Sequence, residues 1–302
     1  MVICCLVEEQ RSGFVGVLGR SNVGKSTLVN RILGHKVLPV SPKPQTTRRR
    51  QLGILTDGNI QVIFVDTPGI HKPVDRLGIY LNEVARRAMK GVDVILFIAD
   101  ASQPPREEDT MVAEFLSSLE KVPTILALNK IDLVPEALVH ERERAYVALL
   151  ARAESIPISA LTGHGLTELV EKLKSMMPAR PFHYPEDLVT DLAEREIAAE
   201  LIREAILFHV HEEIPYACAV RIEAYEERDE RTAYILATIF VEKESQKPIL
   251  IGKGGTMIKT VGTRARKEIE ALTGRKVYLE LRVKVLKRWR NKEAYLKMLL
   301  KG

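Results

Sequence analysis

The stretch Gly19-Arg20-Ser21-Asn22-Val23-Gly24-Lys25-Ser26-Thr27 constrains this 302-residue chain more than any other. It reads G-x-x-x-x-G-K-S, follows the apolar run Phe14-Val15-Gly16-Val17-Leu18, and opens into Leu28-Val29-Asn30-Arg31-Ile32-Leu33 at helical spacing. Strand, glycine loop and helix in that order make a phosphate cradle. The glycines let backbone N–H groups turn inward, and the helix N-terminus adds a field that favours anions. Lys25 can place a point charge on the β- and γ-phosphates, and the Ser26 hydroxyl can ligate Mg²⁺. A glycine turn before a helix is often only a turn, but here every motif position is filled in register.

The segments that follow alternate strand and helix. Gly34 to Gln51 is rich in Pro, Ser, Thr and basic residues and reads as a mobile loop carrying Gln45-Thr46-Thr47-Arg48. Two apolar runs flank Asp57-Gly58-Asn59, a hairpin signal, and the second ends in Asp66-Thr67-Pro68-Gly69. A carboxylate at that strand end is where a Mg²⁺-organising Asp belongs, and the Gly69 N–H suits a γ-phosphate. Further strands over Val92–Ala99, Pro123–Leu128 and Ile156–Ile158, with helices between them (one over about Pro135–Ala153), predict a mostly parallel sheet with helices on both faces. Ligands of such sheets sit at the carboxyl ends of the strands, where every motif falls.

Asn129-Lys130-Ile131-Asp132 selects the base. The Asp132 carboxylate can accept from guanine N1–H and the 2-amino group. Adenine offers neither donor, so the carboxylate would be buried unpaired. Asn129 and Lys130 would brace the loops around the base, and Ser159-Ala160-Leu161 would present the Ala160 N–H to guanine O6. The guanine-nucleotide domain is expected over 1–179.

Three prolines between Pro178 and Pro185 argue against continued helix and mark a linker at 180–190. A second domain over 191–302 starts with a helix signalled by Asp191 and Glu194. Strands at Ala217–Ile222 and Tyr234–Val241 follow, with the charged segment Glu226–Arg231 as their turn. Ile251-Gly252-Lys253-Gly254-Gly255 then lies between two helices, and a last strand covers Val277–Val285. G-x-x-G in that element order fits a type II KH module, whose loop clamps about four nucleotides of single-stranded RNA. From Lys243 onward the chain holds 17 Lys and Arg against 5 Asp and Glu, whereas 28 stand against 35 before it, so the overall +5 hides a basic C-terminal module. Candidate RNA contacts are Ile251, Gly252, Lys253, Gly254, Gly255, Lys259, Arg264, Lys284, Lys287 and Arg288. Trp289 either packs the tail onto the domain, the favoured reading, or stacks a base.

No apolar run approaches the ~20 residues of a membrane span. The apolar start, Met1–Val7, meets Glu8-Glu9 at once and is too short for a signal peptide. Cys4, Cys5 and Cys218 form neither a disulfide framework nor a metal-ligand spacing, which fits a reducing cytoplasm.

Taken together, the residues resemble the Era family of bacterial ribosome-associated GTPases, from about Gly13 to Asn291. The likeness rests on Gly19–Ser26, Gln45–Arg48, Asp66-Thr67-Pro68-Gly69-Ile70-His71-Lys72-Pro73, Asn129–Asp132, Ser159–Leu161, Ile251–Gly255 and Lys276–Leu281. It implies GTP/GDP and Mg²⁺ as cofactors, binding near the 3′ end of 16S rRNA, and a role in assembly of the 30S subunit and rRNA maturation. A monomeric, cytoplasmic protein is expected, and the resemblance admits peripheral association with the inner face of the cell membrane. Ser26 and Thr47 would ligate Mg²⁺ directly, with Asp66 acting through water; Thr47 is preferred to Thr46 by alignment with related GTPases. Lys25 and the Gly69 N–H would stabilise charge on the γ-phosphoryl group. Ile70 stands where many GTPases carry a water-orienting Gln, so slow unassisted hydrolysis, on the order of 10⁻⁴ s⁻¹, is expected. In related GTPases an Asn at the position of Asn22 helps hold K⁺; the alternative is that Asn22 only caps the loop. Ser21 departs from the family, which usually has proline there. An RNA-binding assembly factor with nucleotide as a structural ligand, and a tRNA-modifying GTPase, are the competing readings.

Overall fold

The computed structural model describes residues 9–119, 121–150 and 153–300. The apolar start with Cys4 and Cys5 lies outside them. The chain forms two compact units that are not contiguous in sequence. The first holds residues up to 35, 50–71 and 84–191; the second holds 36–49, 72–83 and 192 onward.

In the first unit, β1 (Arg11–Leu18) leads through the glycine loop into α1 (Lys25–Leu33). β2 (Gln51–Asp57) and β3 (Ile60–Asp66) form the expected hairpin; α2 (Arg76–Ala88), next in sequence, is divided, its residues to 83 counted in the second unit and those from 84 in the first. Then come β4 (Val94–Asp100), α3 (Glu107–Ser117), β5 (Thr124–Asn129), α4 (Glu136–Val147), β6 (Ala153–Pro157) and α5 (Leu166–Ser175). The sheet order is β2-β3-β1-β4-β5-β6, with β2 alone antiparallel. β4 is buried at all seven positions, as a central parallel strand covered on both faces must be. α4 ends at Val147, well short of the expected Ala153. Residues 180–190 carry no helix, and the segment is tied to this unit: Gln61 Nε2 donates to Tyr184 O at 2.9 Å and Ile54 N to Val189 O at 2.9 Å.

The second unit is built on α6 (Glu194–His209), α7 (Ile214–Ala217), β7 (Ala219–Asp229), β8 (Thr232–Val241), α8 (Gln246–Ile251), α9 (Thr256–Thr273), β9 (Lys276–Val285) and α10 (Glu293–Leu300). β8 pairs β7 antiparallel and β9 parallel. The core joins Ile197, Leu201 and Ile202 of α6 and Val261, Ala265 and Ile269 of α9 to Ile235, Ala237 and Ile239 of β8.

Three local expectations are corrected here. α6 starts at Glu194 with Ala193 before it, because the Glu196 carboxylate accepts from the Ala193 N–H at 3.2 Å; Asp191 lies 4.0 Å from Arg50 instead. The charged residues 226–229 continue β7, with ladder pairing as far as Asp229↔Thr232. The stretch 36–49, expected as a mobile loop, buries Val37, Leu38, Thr47 and Arg48. Arg48 donates to Cys218 O (2.7 Å) and Tyr216 O (2.9 Å) and lies 5.7 Å from the Trp289 ring, while Arg203 donates to Gln45 O and Thr46 O. A loop whose guanidinium is sealed against carbonyls is held in place.

Candidate functional site

At the carboxyl edge of the first sheet, the turn from Gly19 to Gly24 leaves no room for a side chain at either end. Gly24 has φ 102°, and a Cβ there would stand 2.4 Å from Asn129 Nδ2. The Asn129 amide itself spans two loops: Nδ2 donates to Val23 O at 2.7 Å and Oδ1 accepts from Ala160 N at 2.9 Å. Ala160 N–H, expected at guanine O6, is therefore engaged by Asn129 in this structure. Lys130 Nζ donates to Asn22 O at 2.8 Å, and Asn22 has φ 64°. Asp132 accepts from Ser159 Oγ at 2.5 Å, which aims its carboxylate. Thus the residues expected to brace the base do join the base loop to the phosphate loop.

Lys25 is buried and folded over the loop, donating to Arg20 O at 2.9 Å and Gly19 O at 3.2 Å. Burial pushes its pKa down to about 8, against the pull of Asp66. Ser26 Oγ donates to Asp66 Oδ2 at 2.8 Å. This pair of hard oxygen donors at a helix N-terminus fits Mg²⁺. No cluster of three or more His, Cys, Asp or Glu among the described residues could hold a metal, so Mg²⁺ would have to arrive with phosphate and water ligands. Thr67 Oγ1 donates to Val17 O at 2.9 Å, tying down the turn that runs through Pro68. Gly69 passes so close that a Cβ would lie 2.6 Å from Ser21 N, and Ile70 N donates to Gly19 O at 3.2 Å. Ile70 is fully buried. Leu161 is 73% exposed. Thr27 follows Ser26 in the first turn of α1. Thr47 belongs to the second unit.

One brace escaped the sequence reading. Arg20 lies between two carboxylates, 3.3 Å from Asp100 and 3.2 Å from Asp109, and Asp100 also lies 2.7 Å from Lys130. Hydrogen bonds from Lys130 and Ser102 hold the Asp100 carboxyl below its usual range despite burial, whereas burial raises Asp109. No local pattern in the sequence pairs these residues, which stand 80 and 89 positions apart.

In the second unit, Gly252–Gly255 joins α8 to α9, with Lys253, Gly254 and Gly255 in one tight turn. Beside it, α9 and β9 enclose a groove of about 650 Å³ lined by Ile258, Lys259, Arg266, Lys276, Tyr278 and Leu281 among others. Of the candidate RNA contacts Lys259 lines this groove; Arg266, Lys276 and the 64%-exposed Tyr278, which also line it, were not among those candidates, although the last two lie in the Lys276–Leu281 stretch. Arg264 does not line the groove. Two positions round the helix from Arg266, its guanidinium stacks 3.8 Å over Phe208 and lies 4.0 Å from Glu204. Lys284, Lys287 and Arg288 are exposed. Trp289 is fully buried and donates to Ala217 O at 2.8 Å, so it packs rather than stacks a base.

A phosphate socket wired to a base-selecting Asp, and a separate G-x-x-G unit, define a P-loop GTPase joined to a KH module. A profile of 50S ribosome-binding GTPases matches residues 14–130, and a KH-domain profile matches 213–290. GTPase Era of Geotalea uraniireducens (strain Rf4) is 48% identical over 97% of this chain and 98% of that protein. GTPase Era of Geobacter sp. (strain M21) is 46% identical over 95% and 96%. Era crystallised with MgGDPNP and nucleotides 1506–1542 of 16S ribosomal RNA superimposes with a TM-score of 0.89 at 40% identity, covering 96% of this chain and 98% of that one. A variant of Aquifex aeolicus Era bound to GDP and AlF₄⁻ gives the same TM-score, over 96% and 99%. The chain belongs to the Era family of GTPases.

Proposed function

We propose that this GTP-hydrolysing protein uses its nucleotide cycle to time its grip on the 3′ region of 16S rRNA during 30S assembly. One observation carries the reading. The segment with Thr47, a γ-phosphate and Mg²⁺ sensor by family resemblance, is built into the compact unit that bears the G-x-x-G loop. Arg203 of α6 holds the carbonyls of Gln45 and Thr46, and Lys36 pairs with Glu204 of the same helix at 2.7 Å. Any change that nucleotide makes in residues 36–49 is therefore felt by α6.

Within the nucleotide site, Gly19–Thr27 cradles phosphates, and Lys25 and the Gly69 N–H meet charge growing on the γ-phosphoryl oxygens. Ser26 and Thr47 would hold Mg²⁺ directly and Asp66 through water; the ion would supply charge neutralisation between the β- and γ-phosphates. Asp132 reads guanine, while Asn129, Lys130 and Ser159 keep it aimed. With Ile70 unable to orient water, K⁺ beside Asn22 is the proposed substitute. Turnover several-fold faster in K⁺ than in Na⁺ is expected, and equal rates would remove that role.

On the RNA side, Lys253 and the glycines clamp backbone phosphates, Lys259, Arg266 and Lys276 line the path, and Tyr278 offers a face for a base. The protein is proposed to be cytoplasmic and monomeric. No helix among the described residues is long and apolar enough to cross a membrane. Peripheral attachment at the membrane's inner face is tested by co-sedimentation with anionic vesicles.

The central test is crosslinking to RNA, with and without GDPNP, of wild type and Lys25→Ala. A footprint at the 16S 3′ end that changes with GDPNP supports the switch. Unchanged RNA affinity and ribosome association in Lys25→Ala would favour an assembly factor that uses nucleotide only as a structural ligand.

A further inference from the structure

β2 opens on a side chain that the nucleotide site, as described, does not use. Gln51 is 1% exposed, and neither its Oε1 nor its Nε2 has a hydrogen-bond partner. Burying a carboxamide with both ends unpaired is costly, so such a group usually answers to water or to a ligand. Packing gives no reason for it, since the next neighbours on its own face, Gly53 and Phe64 across the ladder from Gly53, are buried and bring no polar side-chain group.

Its place in the sheet supplies the reason. The antiparallel register sets Gln51 directly opposite Asp66. Opposed residues project from the same face with Cβ atoms roughly 5 Å apart. On that face Asp66 accepts the Ser26 hydroxyl at 2.8 Å. The next residue of β2 on this side, Gly53, lies directly under α1, where a Cβ would stand 2.7 Å from Val29 Cγ1. Gln51 is therefore enclosed between sheet and helix beside the carboxylate read as organising Mg²⁺, and no direct hydrogen bond from its amide closes the gap. A polar gap of this kind is one that a water bridges.

We propose that Gln51 is a positioning residue for the Mg²⁺ site, its carboxamide fixing a water of the ion's shell against Asp66. The inference rests on the reading of Ser26 and Asp66 as the metal-holding pair. Outer partners of this kind orient the inner ligands, and losing one costs roughly 10–100-fold in metal affinity.

The experiment titrates Mn²⁺, as a paramagnetic stand-in for Mg²⁺, into the GDP complex of the full-length protein and reads free Mn²⁺ by EPR. Gln51→Leu is expected to weaken Mn²⁺ binding about 10-fold or more. The same variant without metal should melt at or above the wild-type temperature, because an unpaired buried amide is gone. Gln51→Glu restores an acceptor and should recover most of the metal affinity while lowering the metal-free melting temperature. If the leucine variant does not fold, Gln51→Met takes its place against Gln51→Glu. Mn²⁺ affinity within twofold of wild type in the apolar variants, with only melting altered, assigns Gln51 to packing and overturns the proposal. Ser26→Ala separates the two layers of inference. If it weakens Mn²⁺ binding while Gln51→Leu does not, only the role of Gln51 falls; if neither does, the metal site itself has been misplaced.

Discussion

Two of the glycine turns that lead into helices, the one before α1 and the one before α9, differ in how much they are enclosed. At Gly24, a methyl group would be driven to 2.4 Å from Asn129 Nδ2, and Lys25 beside it is 6% exposed. At Gly254 and Gly255, an added Cβ meets nothing within 4 Å, although both have positive φ. The first turn is a socket packed against the Asn129 amide, with no room for a side chain at Gly24. The second is an open grip at Gly254 and Gly255, where backbone conformation and not neighbours restricts it, and is tight only at Gly252, where a Cβ would stand 2.6 Å from Met257 N. Preorganised burial suits a site that must tell guanine from adenine; an open turn suits a polymer whose phosphates are all alike.

This contrast can be broken most sharply at Gly24. Gly24→Ala should weaken GDP binding by at least about 10³-fold in a fluorescent-nucleotide titration, since the loop must shift several backbone donors together. Tight binding in that variant would mean that the socket yields as readily as the grip. Next in size, Asp132→Ala should lower the preference for GTP over ATP by about 10²-fold or more, read by competition, because the carboxylate that penalises adenine is gone.

A third test uses protons. Burial lowers Lys25 from the ordinary 10.5 to about 8. Bound phosphates favour its charged form, so nucleotide binding takes up a proton where the free side chain is neutral, above about 8. Affinity should be full below pH 8 and fall by up to about tenfold per pH unit above it. Calorimetry at pH 9 in buffers of different ionisation enthalpy should show uptake close to one proton per nucleotide. The smallest effects belong to the open turn. Lys253→Ala should reduce the salt slope of single-stranded RNA binding by about 0.7, with similar losses on different sequences. Gly254→Ala, confined to a left-handed backbone cost of about 1–2 kcal/mol, should lose no more than about 30-fold.

What the sequence revealed follows the same division. Gly19–Thr27, Asp66, Asn129 and Asp132 stood out as candidates because a nucleotide of fixed shape demands particular residues at fixed spacings along strand ends. The clasp of Asp100 and Asp109 on Arg20 joins positions up to 89 apart in sequence, and no local pattern announces a pair of that kind. Residues 36–49 read as a free loop because proline, serine and basic residues signal turns. Only the long-range contacts of Arg48 with Cys218 O and Tyr216 O make that segment a packed one. In the KH unit, helical phase separates Lys259 and Arg266 from Arg264, a distinction that counting basic residues does not make.

The carboxylate of Asp100 is shared between Arg20 and Lys130. Two loops proposed to touch opposite ends of the nucleotide thus answer to one anchor. On that proposal, a guest arriving base-first should stiffen the place where its phosphates will land, and a departing guest should loosen both ends together. Release of spent nucleotide should accordingly be a single concerted opening, which a partner could trigger by prising at either end.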